Sequence, residues 1–303
     1  MKTPHPQSNL GVASAIGWSV VTAALAGQTA VGQSPAPAAE VRPVSETRAR
    51  VEAVAGRLVP GKTNFVGLVF RIEKSWHIYW DGQNDTGAPP EFSLTLPEGW
   101  TQGKTRWPAP IRHVLPGDIV DYIYEGEATL LVPIDVPESA AGTEVDLAFD
   151  VRWLVCSDVC IPEKGTTTVR VRVAKTDAPS AEPPRAPRQI AETLYRRLPR
   201  PMKEAEGVAV SVKAGRLRIE APGAKRITFM PAASSVAMEN AADDGEVRGG
   251  VLEADFEAPD GERAGVVGIV QLDRGKGPES YWFDEQERGE AEQPPERSGA
   301  MKE

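Results

Sequence analysis

The chain has 303 residues, 41% hydrophobic and 25% charged, a composition that excludes a wholly disordered polypeptide and a multispan membrane protein. A net charge of −9, from 34 basic and 43 acidic residues, offers no basic face to nucleic acid. Two cysteines exclude a disulfide-dense scaffold and a four-thiolate zinc site, and 28 Gly with 27 Pro favour short strands joined by turns over packed helices.

Residues 1–26 read as a signal peptide. Lys2 is a thin basic start, Leu10 to Ala26 carry no charge, and Ala24-Leu25-Ala26 forms an A-x-A cleavage site. The run is rich in Ala, Gly and Ser, which makes it a poor permanent anchor; an uncleaved N-terminal anchor is the alternative. Either reading places the bulk of the chain outside the cytoplasm. Residues 27–47 are an Ala/Pro-rich linker.

Residues 48–176 alternate between strand and turn signals. Ala49 to Val54 has period two, Phe65 to Ile72 is a second run, and Trp76-His77-Ile78-Tyr79-Trp80 is a third. Asp81 to Pro90 is a loop, Phe92 to Leu96 alternates, and Trp107-Pro108-Ala109-Pro110 opens an irregular segment reaching about Tyr122. Ala128 to Val136, Glu144 to Leu154 and Thr166 to Val173 are further strands. Seven or eight short strands at this spacing predict an all-β, immunoglobulin-like sandwich. Residues 177–188 hold four prolines and read as a linker. A second, smaller β domain is expected over 189–285. It opens with a helix at Gln189 to Leu198, where Ile190, Leu194 and Leu198 share a face. Its strands are Val208 to Val212, Leu217 to Ala221, Arg226 to Met230, Val251 to Phe256, Gly265 to Leu272 and Ser280 to Phe283. Residues 286–303 are an acidic tail, expected to be solvated.

The chemistry, if any, lies with Cys156 and Cys160. In a straight strand, residues four apart are separated by about 13 Å, whereas a disulfide needs Cα atoms about 4.4–6.8 Å apart. A bonded pair therefore requires Ser157-Asp158-Val159 to fold back as a turn, with Pro162 ending the strand beyond it. The spacing leaves three readings open: a redox-active dithiol, a fixed disulfide, and a two-thiolate metal site. A loop this short gains only about 2 kcal/mol from its cross-link, less than a bridge between sheets would give.

Five of seven Trp and three of five Tyr lie between positions 76 and 153. They are either ordinary sandwich core or an aromatic shelter over the cysteines. Along their strand, Trp76, Ile78 and Trp80 share one face and His77 and Tyr79 the other. A charged His77 beside a cysteine would favour its thiolate; a strand histidine satisfied by a carbonyl is the competing reading. Asp158 and Glu163 would oppose a thiolate, or take up a proton during exchange. Met202, Met230 and Met238 are scattered, and no Ser-His-Asp order, phosphate loop or histidine-metal spacing is present, so no cofactor and no small-molecule substrate is expected.

Several stretches resemble the periplasmic N-terminal domain of DsbD-type thiol:disulfide interchange proteins. They are Trp76-His77-Ile78-Tyr79-Trp80, Asp85-Thr86-Gly87-Ala88-Pro89-Pro90, Leu96-Pro97-Glu98-Gly99-Trp100, Trp107-Pro108-Ala109-Pro110, Tyr124-Glu125-Gly126, and the core from Trp153 through Cys156 and Cys160 to Glu163. The core is closest to the ScsB-like branch linked to suppression of copper sensitivity. The resemblance covers about residues 48–175 and, more loosely, 189–285.

The resemblance implies an immunoglobulin-like domain whose cysteines shuttle between dithiol and disulfide. Its partners would be a membrane-embedded electron donor and periplasmic thioredoxin-like or other disulfide-bearing proteins, so the chain would be an oxidoreductase module dependent on a partner. Cys156 and Cys160 would be the redox pair. Pro108 to about Tyr122 would be a cap, with Trp76, His77, Tyr79, Trp80, Tyr122, Tyr124, Trp153, Asp158 and Glu163 around the pair. The family's common Tyr-Gly-Tyr is here Tyr122-Ile123-Tyr124, and the family's membrane and thioredoxin-like domains do not follow in this sequence. The alternative class is a binding or structural protein, with Cu(I) held by the two thiolates or a permanent disulfide.

Overall fold

A computed structural model describes residues 47–175, 197–257 and 265–287. The expected signal peptide and Pro-rich linker lie outside the described residues, as do almost all of the expected helix at 189–198 and the acidic tail. No helix among the described residues is long and apolar enough to cross a membrane.

The first part is an immunoglobulin-like β-sandwich. One sheet has the order β1-β2-β8-β5, formed by β1 (Ala49–Ala55), β2 (Lys62–Ile72), β8 (Glu127–Val136) and β5 (Thr101–Gln102). The other has the order β10-β9-β3-β7-β6. These are β10 (Cys160–Arg172), β9 (Glu144–Cys156), β3 (His77–Tyr79), β7 (Ile119–Glu125) and β6 (Ile111–Leu115), and β4 (Glu91–Thr95) also pairs with β9. Strand β9 shows why: Leu147, Phe149, Val151, Trp153 and Val155 turn inward and alternate with the exposed Ala148, Asp150 and Arg152 and the half-buried Leu154. Trp153 meets Phe70 of β2 edge-to-face, with ring centroids 5.7 Å apart.

Pro162 does not end a strand. It lies within β10, opposite Leu154. β10 is the edge of its sheet, and Pro162 sits two residues after the closely spaced Cys156–Cys160 pair. That parity is the non-hydrogen-bonded one, so the missing N–H points away from β9 and costs no ladder bond. The segment expected to be irregular also forms structure. β6 and β7 are a hairpin turning at Pro116-Gly117-Asp118, where Gly117 and Asp118 both take positive φ.

The second part holds a five-stranded and a three-stranded sheet. The first is ordered β11-β18-β17-β14-β15, from β11 (Arg200–Pro201), β18 (Pro278–Asp284), β17 (Val267–Asp273), β14 (Arg226–Pro231) and β15 (Glu246–Val247). The second is β12-β13-β16, from β12 (Ala209–Lys213), β13 (Arg216–Glu220) and β16 (Val251–Asp255). Leu217, Ile219, Phe229, Val270 and Phe283 fill the space between these sheets. The alternate residues Met230, Ala232, Val267 and Ile269 join the core of the first sandwich instead. β14 and β17 are thus covered on both faces, which is why they read as continuous apolar runs.

Candidate redox site on the outer face of a sheet

Cys156 closes β9, Cys160 opens β10, and the two face each other in register. Ser157-Asp158-Val159 forms the turn, with the Ser157 N–H donating to the Val159 carbonyl at 3.0 Å. The cysteines are joined by a disulfide with Cα atoms 4.1 Å apart. Because Trp153 and Val155 turn inward, Leu154 and Cys156 turn out, so the disulfide lies on the outer face of its sheet. It links neighbouring strands and does not brace the two sheets. The two cysteines differ in exposure: Cys156 is 1% exposed, while Cys160 is exposed along with Asp158 and Val159.

The same face gathers a polar cluster. Across the strands, Cys160 pairs with Cys156, Cys156 with His77, and His77 with Glu125. One step along, Tyr79 is opposite Ile123, and both pack on Cys156 with Leu154 alongside. The Tyr79 hydroxyl is 3.8 Å from Cys160 Sγ, 3.3 Å from His77 Nε2 and 3.3 Å from Thr86 Oγ1. Thr86 in turn donates to Asp121 through its hydroxyl (2.5 Å) and its N–H (3.0 Å). Asp121 is 1% exposed and stands opposite His113, whose ring lies 6.0 Å from that of His77.

The loop after β3 brings Thr86 there. Asn84 accepts from the Tyr122 N–H at 2.7 Å and Asp85 from the Val120 N–H at 2.6 Å, so these side chains extend the pairing along β7. From the other side, Gln83 donates to the Ser235 carbonyl at 2.8 Å and the Val236 carbonyl at 3.1 Å. Gly87 then crosses the Tyr79 ring so closely that a Cβ would fall 2.1 Å from Cζ, which only glycine permits. Arg112 of β6 donates to the carbonyls of Ala241 (2.6 Å) and Ala242 (2.7 Å) in the short helix α1 (Ala241–Asp244). The second part of the chain therefore holds both the loop and the hairpin that frame the cluster.

Burial pushes the pKa of Tyr79 up, with Thr86 opposing and Asp121 adding to the shift. Burial and then the His113 imidazole hold His77 below its ordinary value, against Asp121 and Glu125. The direction of this shift favours the neutral imidazole at neutral pH, which goes against the reading of His77 as a positive charge beside the cysteines.

The remaining expected residues lie on the opposite face. Trp76, Trp80, Tyr122, Tyr124 and Trp153 pack in the sandwich core, not over the disulfide. Trp80 meets Tyr122 edge-to-face at 5.8 Å, and the Tyr124 hydroxyl donates to the Pro108 carbonyl at 2.6 Å. Glu163 also points inward, accepting from the N–H groups of Arg48 (2.6 Å) and Ala49 (3.2 Å) and from Trp153 Nε1 (3.0 Å). Asp158 is exposed in the turn. The expected cap segment approaches the site through His113. Thr86, Asp121, Ile123 and His113 were not singled out from the sequence; the alternation of residues 119–125 is the signal that places Asp121 and Ile123 with Tyr79. No group of three or more His, Cys, Asp or Glu among the described residues is placed to hold a metal ion.

The family model described as thiol:disulfide interchange protein DsbD, N-terminal, matches residues 40–171. That region is a DsbD N-terminal-type domain. The match covers the disulfide turn, the β6–β7 hairpin and the Thr86 loop of this DsbD-type domain, and ends one residue short of the end of β10. No curated protein matches the chain. Among solved structures, the N-terminal periplasmic domain of ScsB from Proteus mirabilis is 13% identical, covering 78% of this chain and 90% of that one, with a TM-score of 0.46. The N-terminal domain of Neisseria meningitidis DsbD in its reduced form is 14% identical, over 39% and 82% of the two chains, with a TM-score of 0.27.

Proposed function

We propose that this protein is a periplasmic thiol-disulfide exchange module. In this reading it takes two electrons from a membrane-embedded donor and passes them to oxidised periplasmic proteins through the Cys156/Cys160 pair. The observation that carries the reading is the disulfide's position: on an outer sheet face, with one cysteine exposed and the other buried. A brace between the sheets would be shut away from partners.

The exposed cysteine sets the order of events. A donor thiolate attacks Cys160 Sγ, the Cys160–Cys156 bond breaks, and Cys156 leaves as a thiolate that takes up a proton. A second donor thiol then attacks the mixed disulfide, leaving the donor oxidised and the pair reduced. Toward a client the steps run in reverse, with Cys160 attacking and Cys156 resolving.

The test is the reduction potential of the pair, from free-thiol counts after equilibration in glutathione or dithiothreitol buffers. A potential of roughly −120 to −270 mV supports exchange. One below about −300 mV marks a fixed disulfide and ends the proposal. In the same buffers, Cys156→Ala should accumulate a glutathione mixed disulfide at Cys160.

A further inference from the structure

Asp121 is a wholly buried carboxylate that the exchange steps do not use, yet it is tied to the reacting sulfur through two hydroxyls. The direction of those hydrogen bonds can be worked out. The Thr86 N–H can only donate, and it donates to Asp121 Oδ1. The Thr86 hydroxyl spends its single proton on Asp121 Oδ2 at 2.5 Å, the shortest of the contacts that link Asp121 to Cys160. Thr86 Oγ1 can then only accept, and the Tyr79 hydroxyl beside it is the donor. His77 Nε2, also 3.3 Å from this hydroxyl, completes the chain as a donor in its Nε2–H tautomer; sulfur is the weaker acceptor, so the Tyr79 proton goes to Thr86 and not to Cys160. What Tyr79 presents to Cys160 Sγ, at 3.8 Å, is a lone pair.

We infer that Asp121 and Thr86 are positioning residues that fix Tyr79 as a hydrogen-bond acceptor toward Cys160, and so hold the reduced Cys160 as a thiol. A bond made to the protonated form favours that form, whereas a Tyr79 proton aimed at the sulfur would favour the thiolate. The inference rests on the exchange reading for its consequence. The resting reduced pair is kept unreactive toward stray oxidants, and a docking client that disturbs Tyr79 releases the thiolate. The titratable groups facing Cys160 are His77 and Tyr79 from β3, Asp121 and Glu125 from β7, His113 from β6, and Asp158 of the turn.

The test is a pH titration of Cys160 in the reduced protein, read as the iodoacetamide alkylation rate at that residue by mass spectrometry. The wild-type midpoint should lie above the ordinary cysteine value of about 8.5. Asp121→Asn turns an amide donor toward Thr86 Oγ1, sends the Thr86 proton to Tyr79, and frees the Tyr79 proton for the sulfur. Thr86→Val, made together with His77→Phe because the imidazole Nε2 at 3.3 Å could otherwise accept the Tyr79 proton, removes both competing acceptors. Each should lower the midpoint by about one pH unit. Thr86→Ser in the same His77→Phe background, which keeps the hydroxyl, should restore it. If Asp121→Asn does not fold, the Thr86 pair decides alone. A midpoint unchanged or raised in Thr86→Val with His77→Phe, with native circular dichroism, overturns the inference. The titration needs only reduced protein, so it stands apart from the potential measurement: a fixed-disulfide potential removes the exchange reading without touching the thiol result.

Discussion

Glu163 separates the two faces of the sheet experimentally. Its carboxylate accepts three hydrogen bonds, from the Arg48 and Ala49 N–H groups at the start of β1 and from Trp153 Nε1 in the core. Glu163→Ala leaves all three donors without that acceptor. Trp153 is 5% exposed, so its orphaned N–H carries the full penalty of about 1–3 kcal/mol. The two backbone donors are partly buried and regain water in part, adding about 1 kcal/mol together. A total near 3 kcal/mol lowers Tm by about 6–12 °C for a unit of this size. The assay is thermal unfolding without reductant, so that the disulfide stays closed throughout. The second readout is the reduction potential. Glu163 touches neither sulfur and stabilises oxidised and reduced forms alike, so the potential should move by less than about 10 mV, where 30 mV corresponds to about 1.4 kcal/mol. A Tm loss under about 2 °C, or a potential shift of 30 mV or more, would refute the assignment of Glu163 to the inner face.

Two further outcomes follow from the same geometry. Arg112→Ala removes two short bonds to α1 carbonyls, about 1.5–3 kcal/mol for a charged donor. Amide hydrogen exchange should then rise across Ile111–Leu115 while β8 is unchanged, and equal protection in variant and wild type would sink the bracing role. His77 is held below its ordinary pKa, first by burial and then by His113. The unfolded chain therefore takes up this proton before the folded one. The stability His77 contributes is full above about pH 6.5 and is lost as pH falls from there toward its folded value. Wild-type Tm should drop more than that of His77→Asn between pH 7 and 5.5; parallel curves would contradict the shift.

The strands were legible where hydrophobic alternation is strong. The β9 pattern, with apolar residues at 147, 149, 151, 153 and 155, fixes its inner face without help from distant residues. The β6–β7 hairpin was not legible, because a five-residue β6 set among Pro108, Pro110 and Pro116 carries too little periodic signal against three breakers. Pro162 misled for a related reason. Its effect depends on which side of an edge strand lacks a neighbour, and only the pairing register decides that.

The site shows a sharper division. Local spacing places the cysteines, His77 and Tyr79, because each is set by strand parity within a few residues. The contact that polarises Tyr79 joins Thr86 to Asp121 across 35 positions, and the bonds that hold the Thr86 loop from the far side run from Gln83 to Ser235 and Val236 across more than 150. No periodicity carries such pairs. The many tryptophans left a sandwich core and an aromatic shelter both open, and the core holds them: large aromatic rings contribute most where they are fully desolvated, and in this sheet that is the side packed on β2 and β8. The disulfide takes the side left over. What surrounds it there is an apolar floor of Ile123, Leu154 and the Tyr79 ring with a polar set beside it, two imidazoles, two hydroxyls and one buried carboxylate, held in place by strands whose opposite faces supply the stability.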